Sequence, residues 1–274
     1  MIVYGTVTGA SVGTLFIAGF GAGLVYALVY IIYTFLYARK HTEIVRAPKA
    51  TKKERWEALK DSAWGLGVPF IILGGIYGGV FTPTEAAAVA VVYSLIVALF
   101  VYKELNFKSV LNTIYRSALT TVQVMVLLAA ASVFAWILAS EGITLAIADA
   151  VLSVSSNQMV ILFLMNIILL IAGMFIDGAS FITILGPLFF PIAVSAGVDV
   201  IHLGIIMTVN AAIGMFTPPF GLNLFVASSI TKQPIFKVAK GAIPFILLSF
   251  VILFIVTYFP DVSLWLPRQF YGKW

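Results

Sequence analysis

The chain has 274 residues, 62% of them hydrophobic and only 10% charged, a composition that excludes a soluble domain and makes it a polytopic α-helical membrane protein. It has no cysteine, which excludes a disulfide framework and thiolate chemistry. The net charge of +5 does not point to nucleic acid, because the basic residues lie in loops between apolar runs, as the positive-inside rule produces.

Met1 is followed directly by I-V-Y-G-T-V-T-G-A-S-V-G, which has neither the basic n-region nor the small-residue cleavage site of a signal peptide. Leu15 to Tyr37 is free of charge and long enough for a span, which needs roughly 20 residues. Between Arg39 and Asp61 the composition turns basic: Arg39, Lys40, Arg46, Lys49, Lys52, Lys53, Arg55 and Lys60 stand against Glu43, Glu54, Glu57 and Asp61. This stretch is expected to be a cytoplasmic loop. From Trp64 to Tyr102 the only charged residue is Glu85, in a run that reads as two spans joined by a tight turn at Phe81 to Glu85. Thr84 is the expected hydroxyl cap of the helix that follows, and Glu85 reads as a capping residue rather than an ion ligand. Lys103, Lys108 and Arg116 return the chain to the cytoplasmic side.

Ser117 to Ser140 is a further span, and Glu141 to Ser156, too short and too polar to cross, reads as an interfacial segment. Gln158 to Ile176 is apolar, Asp177, Gly178, Ala179 and Ser180 interrupt it, and Phe181 to Val198 resumes; a re-entrant hairpin is preferred to two ordinary spans. His202, near Asp199 at a membrane edge, reads as an interfacial residue rather than a proton relay. The run Ile201 to Thr231 is broken at its centre by Gly214, Thr217, Pro218, Pro219 and Gly221. Two adjacent prolines remove two backbone donors and push the preceding residue out of the α region, so one continuous helix cannot cross. At mid-membrane, freed carbonyls and amides are tolerated only where protein, water or an ion satisfies them, which makes the break a candidate site. Lys232, Lys237 and Lys240 are again expected in the cytoplasm; Ala242 to Phe259 is the last span, and Trp265, Phe270, Tyr271 and Trp274 form an aromatic belt on the outer face.

Val3 to Leu24 overlays Leu224 to Phe245 weakly, matching aromatic, small and turn positions, with a long apolar span after each. In that register Met1 falls just after the counterpart of Thr217, Pro218 and Pro219, so the first copy lacks its broken helix. The expectation is a chain forming the later part of a two-half protein, in three segments: 1–63 ending the first repeat, 64–157 with the middle spans, and 158–274 as the second-repeat transport core. Repeats with helix breaks near the midplane are how secondary transporters build binding sites. An intramembrane protease is disfavoured, because Asp177 is the only acid well away from a loop or span end, and His41 and His202 lie in or beside loops. No catalytic residue is assigned. An ion channel or pore-type subunit is the alternative, since a re-entrant break can also form a filter.

Three motifs together carry a resemblance: G-G-I-Y-G-G-V-F-T-P-T-E-A-A-A-V-A, then G-M-F-I-D-G-A-S-F-I-T-I-L-G-P-L-F-F-P, then N-A-A-I-G-M-F-T-P-P-F-G-L-N-L-F-V-A. In this order and spacing the chain resembles the large membrane subunit of the tripartite ATP-independent periplasmic (TRAP) transporters, over essentially its whole length. The resemblance implies a transporter fold with inverted repeats, a re-entrant hairpin and a broken helix in the bacterial inner membrane. It also implies sodium-driven uptake of an organic acid of the C4-dicarboxylate or sialic acid type, with Na⁺ as coupling ion and no organic cofactor. Implied partners are a small membrane subunit, a periplasmic substrate-binding protein and the N-terminal half of the large subunit, besides the lipid bilayer. Carried over residue by residue, one sodium site uses Gly173, Gly214 and Thr217, with Asp177, Gly178 and Ser180 lining the neighbouring hairpin and Pro218 and Pro219 making the break. Physically, a break exposes carbonyls at a negative helix end, where a hard cation gains, and amides at a positive end, where a carboxylate gains.

Overall fold

In a computed structural model, residues 1–41, 48–143, 146 and 157–272 are described. The expected interfacial segment, with Leu145, Ile147, Ala148, Asp149, Val151 and Leu152, lies almost wholly outside the described residues, as do Glu43, Arg46 and Trp274. The described residues form eleven α-helices and no strand: α1 (Ile2–Thr8), α2 (Val12–Lys40), α3 (Lys52–Tyr77), α4 (Pro83–Ile96), α5 (Phe107–Ser140), α6 (Gln158–Gly173), α7 (Gly178–Ser195), α8 (Val200–Gly214), α9 (Leu222–Thr231), α10 (Ile235–Tyr258) and α11 (Asp261–Tyr271). A π-helical turn, Val97–Val101, extends α4. Among the described residues, five stretches are long and apolar enough to cross a membrane: Val12–Lys40, Pro83–Val101, Phe107–Phe134, Gly178–Ser195 and Ile235–Tyr258. The all-α polytopic class stands.

The helices group into two compact units, Ala38–Gln123 and Met1–Tyr37 with Val124–Trp274. In the smaller unit, the basic stretch expected to be a loop is a loop only in part: α3 starts at Lys52, so Lys52 to Asp61 lie on an exposed helix. Its start is a capping box, in which the Thr51 hydroxyl accepts from the Glu54 N–H at 3.3 Å and the Glu54 carboxylate accepts from the Thr51 N–H at 2.7 Å. Those hydrogen bonds hold the Glu54 carboxyl below its ordinary pKa. The same device starts α4, and it corrects the cap expected at Thr84: the cap is Thr82, bonded reciprocally to Glu85, with Pro83 at the first helical position. The spacing T-x-x-E decides the position, because the acid must sit three residues beyond the hydroxyl. Glu85 is a capping residue, as expected. Asn106 caps α5 by accepting from the Ser109 N–H at 2.9 Å, which places Lys108 and Arg116 on the helix rather than in a loop.

In the larger unit, α8 is mostly apolar and buried on nearly every side, with His202, Thr208 and Asn210 as its polar residues. Helices α6, α7, α10 and α11 pack on it. Its Gly204 faces Tyr4 and Leu15, where a Cβ would come within 2.6 Å of the Leu15 side chain and 2.7 Å of the Tyr4 ring. Tyr4 is fully buried and donates to the Val200 carbonyl at 2.8 Å. The segments overlaid in the sequence share a local pattern: α1 and α9 are short helices, each is followed by a left-handed residue, Gly9 (φ 75°) or Lys232 (φ 54°), and a long helix comes next. Helix α11 buries Ser263, Leu264 and Pro267 and leaves Trp265, Phe270 and Tyr271 exposed.

Candidate functional site: a junction of two helix ends

The broken run folds as α8 and α9, separated by Met215 to Gly221. The peptide bond between Pro218 and Pro219, within that separation, is cis. The freed polar groups of this connection find partners in it and in the neighbouring turn. The Thr217 N–H donates to the Gly214 carbonyl at 3.1 Å, the Asn223 N–H to the Met215 carbonyl at 2.8 Å, and the Gly221 N–H to the Met174 carbonyl at 3.2 Å. Gly221 adopts φ 49°, and a Cβ there would lie 2.9 Å from the Thr217 carbonyl oxygen, so both conformation and space require glycine. Phe175 and Phe220 meet with ring centroids 5.2 Å apart and planes tilted by 50°, tying the same two connections together.

Gly173 is the last residue of α6 and Gly214 the last of α8, and their backbones touch. A Cβ on Gly214 would fall 2.5 Å from both the Cα and the carbonyl oxygen of Gly173. A Cβ on Gly173 would meet the Gly214 Cα at a milder 3.3 Å. Each helix C-terminus carries the equivalent of roughly half a negative charge. Neither last turn contains a basic residue. Two negative ends are therefore in contact with no basic residue in either last turn. Thr217 is buried at 5% exposure, and its hydroxyl donates to the Ile213 carbonyl at 2.6 Å, which leaves the oxygen lone pairs available. Among the described residues there is no cluster of three His, Cys, Asp or Glu side chains that could hold a metal. The donors gathered here are backbone carbonyls and one hydroxyl, a set that suits a hard monovalent cation rather than a transition metal.

The turn between α6 and α7, where Asp177 to Ser180 interrupt the apolar run, lies beside this junction. Asp177 caps α7, its Oδ1 accepting from the N–H groups of Ala179 at 3.0 Å and Ser180 at 3.1 Å, while the Ser180 hydroxyl donates to Oδ2. The carboxylate is thus engaged by its own helix. Gly178 packs on Met215, to whose sulfur a Cβ would come within 3.5 Å. Gly173, Gly178, Gly214 and Thr217 are therefore gathered where the α6–α7 turn meets the α8–α9 connection. At the start of α9, the Gly221 and Asn223 N–H groups are already bonded within the site, so part of the expected carboxylate-binding end is occupied by protein carbonyls.

Sequence reasoning passed over three polar residues above the junction. Asn210, one turn before Gly214, donates from Nδ2 to Asn166 Oδ1 at 2.7 Å and to the Ile206 carbonyl at 2.9 Å; Asn166 Nδ2 in turn donates to Thr257 Oγ1 at 3.0 Å. All three side chains are buried. His202, in the first turn of α8, is buried within the protein at 3% exposure: its Nε2 is 2.8 Å from the Val256 carbonyl, and its backbone N–H is capped by Asp199 at 3.0 Å. Its burial follows from the helices packed on α8, which enclose it from its first turn.

The family model of the tripartite ATP-independent periplasmic transporter, DctM component, matches residues 1–262. A C4-dicarboxylate TRAP transporter large permease protein of Pseudomonas aeruginosa is 45% identical over 98% of this chain and 62% of its own length. An ectoine/5-hydroxyectoine large permease of Ruegeria pomeroyi is 36% identical over 100% of this chain and 64% of its own. A sialic acid large permease of Vibrio cholerae is 35% identical over 99% and 64%. The chain thus spans less than two thirds of the length of these relatives.

Proposed function

The chain belongs to the DctM component family of the tripartite ATP-independent periplasmic transporters, and on that premise we propose that it moves an organic acid across the membrane on a sodium gradient. The family is one of transporter permeases, not enzymes, and the chain is a multi-pass protein of the bacterial inner membrane. The observation that supports sodium coupling is the contact of two negative helix ends at Gly173 and Gly214 with no basic residue in either last turn. A sodium ion there would be held by the carbonyls of Gly173 and Gly214 and by the Thr217 hydroxyl, and it would offset the repulsion of the two dipoles. Asp177 and Ser180 hold the α7 end in place, and Pro218 and Pro219 keep α8 from continuing into α9.

Relatives named for C4-dicarboxylate and sialic acid support an organic acid as cargo. A small membrane subunit and a periplasmic binding protein complete the assembly, and the binding protein makes the first selection of substrate. Reconstituted with these partners, the whole protein should accumulate substrate when a sodium gradient is imposed and not when potassium replaces sodium. Uptake of equal rate and extent in both salts would refute sodium coupling.

The loop and span assignment places the start of α10 in the cytoplasm and α11 on the outer face. Lys237→Cys and Gln269→Cys, made singly in this cysteine-free chain, should react with an impermeant thiol reagent from opposite sides of the membrane. Reaction from one side at both positions would overturn this path.

A further inference from the structure

The polar chain Asn210–Asn166–Thr257 has two ends. At one, Asn210 stands a helical turn from Gly214, and its backbone carbonyl would be 3.4 Å from a Cβ on Gly173. At the other, Thr257 forms part of the wall of a cavity of about 250 Å³ between the N-terminal ends of α6 and α8 and the C-terminal end of α10. Gln158, Asp199, His202 and Tyr258 also line it. Cavity and chain follow the α6–α8–α10 seam, from the outward-assigned end of α8 down to the junction.

The hydrogen bonds along this chain have a fixed direction. Both Asn210 amide hydrogens are used, on Asn166 Oδ1 and the Ile206 carbonyl, so the amide cannot be flipped without setting two oxygens against each other. That leaves Asn210 Oδ1, in a residue with 0% exposure, with no partner among the described residues. An unpaired buried amide oxygen is costly, and an aliphatic side chain would avoid the cost altogether. A water molecule, or a cation with its remaining hydration, would satisfy the oxygen.

We propose that the cavity and the Thr257–Asn166–Asn210 chain form a polar access route by which a hydrated monovalent cation reaches the Gly173–Gly214 junction from the outer side, with Asn210 Oδ1 as an oxygen ligand on the way. This rests on the reading of the junction as a cation site. The cavity carries both Asp199, whose Oδ1 caps α8, and Arg268, which pairs with Asp261, so its polarity rather than its net charge admits a cation, and Thr257, Asn166 and Asn210 are the polar steps between the cavity and the helix ends. The cation leaves its last waters only at the junction, where carbonyls replace them.

The test uses the absence of cysteine from these 274 residues, with any cysteine elsewhere in the whole protein first replaced by serine. Thr257→Cys, Asn166→Cys and Asn210→Cys, made singly in membranes of cells carrying the whole gene, are treated from the outer side with a small charged thiol reagent, and the reacted chain is read as a gel shift. All three should react, and Leu169→Cys, fully buried on the same helix as Asn166 but not in the polar chain, should not. Sodium at ten times its Kd should slow the reaction at Asn210→Cys about tenfold by occupancy, and potassium should not. Reaction at Thr257→Cys alone would overturn the route, leaving the asparagines as a dry strut between helices. Reaction at all three regardless of sodium would keep the route and count instead against sodium at the junction. If Asn210→Cys does not accumulate, Asn166→Cys carries the same comparison.

Discussion

Gly214→Ala should cost on the order of a hundredfold in sodium-driven uptake, with the chain still present in the membrane at close to its normal level. The added methyl would sit 2.5 Å from the Gly173 Cα and carbonyl oxygen, where ordinary contact needs about 3.5 Å. The obstacle is backbone, so no rotamer change relieves it, and the two helix ends must part by roughly 1 Å. Separations of that size in a positioned site cost about a hundredfold in rate. Backbone strain plays no part, because Gly214 lies in an α-helix with ordinary φ and alanine accepts that conformation. The reciprocal change is the control: Gly173→Ala meets Gly214 at 3.3 Å, a contact that a few tenths of an ångström would relieve, and its uptake should fall much less. Equal losses in the two variants would mean that the damage is general packing rather than separation of the ends.

Thr217→Val should raise the sodium concentration for half-maximal uptake about tenfold and leave the maximal rate comparatively intact. Valine preserves the shape and removes the one side-chain oxygen at the junction. Losing a buried oxygen partner costs about 1 to 3 kcal/mol, and each 1.4 kcal/mol is about tenfold in affinity. Thr217→Ser retains the hydroxyl that donates to the Ile213 carbonyl and should titrate with sodium much as the native protein does. An unchanged sodium titration in Thr217→Val would remove the hydroxyl from the ligand set.

Much of this site could be read in the amino-acid sequence because its signals are local. Two adjacent prolines with Thr217 and flanking glycines mark an interrupted helix by backbone sterics alone, and Asp177 before Gly178 marks a helix start. What those signals cannot supply is which glycines meet. Gly173 and Gly214 are forty-one positions apart, and only the packing of α6 on α8 brings their backbones together. The asparagine chain was invisible for a similar reason: a lone Asn166 or Asn210 in an apolar run carries no periodic signal, and their meaning lies in bonds to each other and to Thr257. Asp199 marks a helix end beside His202, as its sequence suggests, because it caps α8; the burial of His202 was not legible, since it depends on the helices packed around α8. The cap at Thr82 was legible and missed by two positions; the reciprocal spacing to Glu85 singles it out, and the same T-x-x-E appears unread at Thr51 and Glu54.

Sodium-dependent thermal stability of the native protein and of Gly214→Ala, compared with potassium at equal ionic strength, tests the junction without requiring transport. A ligand bound only by the folded state stabilises it by about 2.7 kcal/mol at one hundred times its Kd. The native Tm should climb with sodium and stay flat in potassium, while Gly214→Ala should stay flat in both. A sodium-dependent rise of the same size in Gly214→Ala as in the native protein would contradict a cation held between the ends of these two helices.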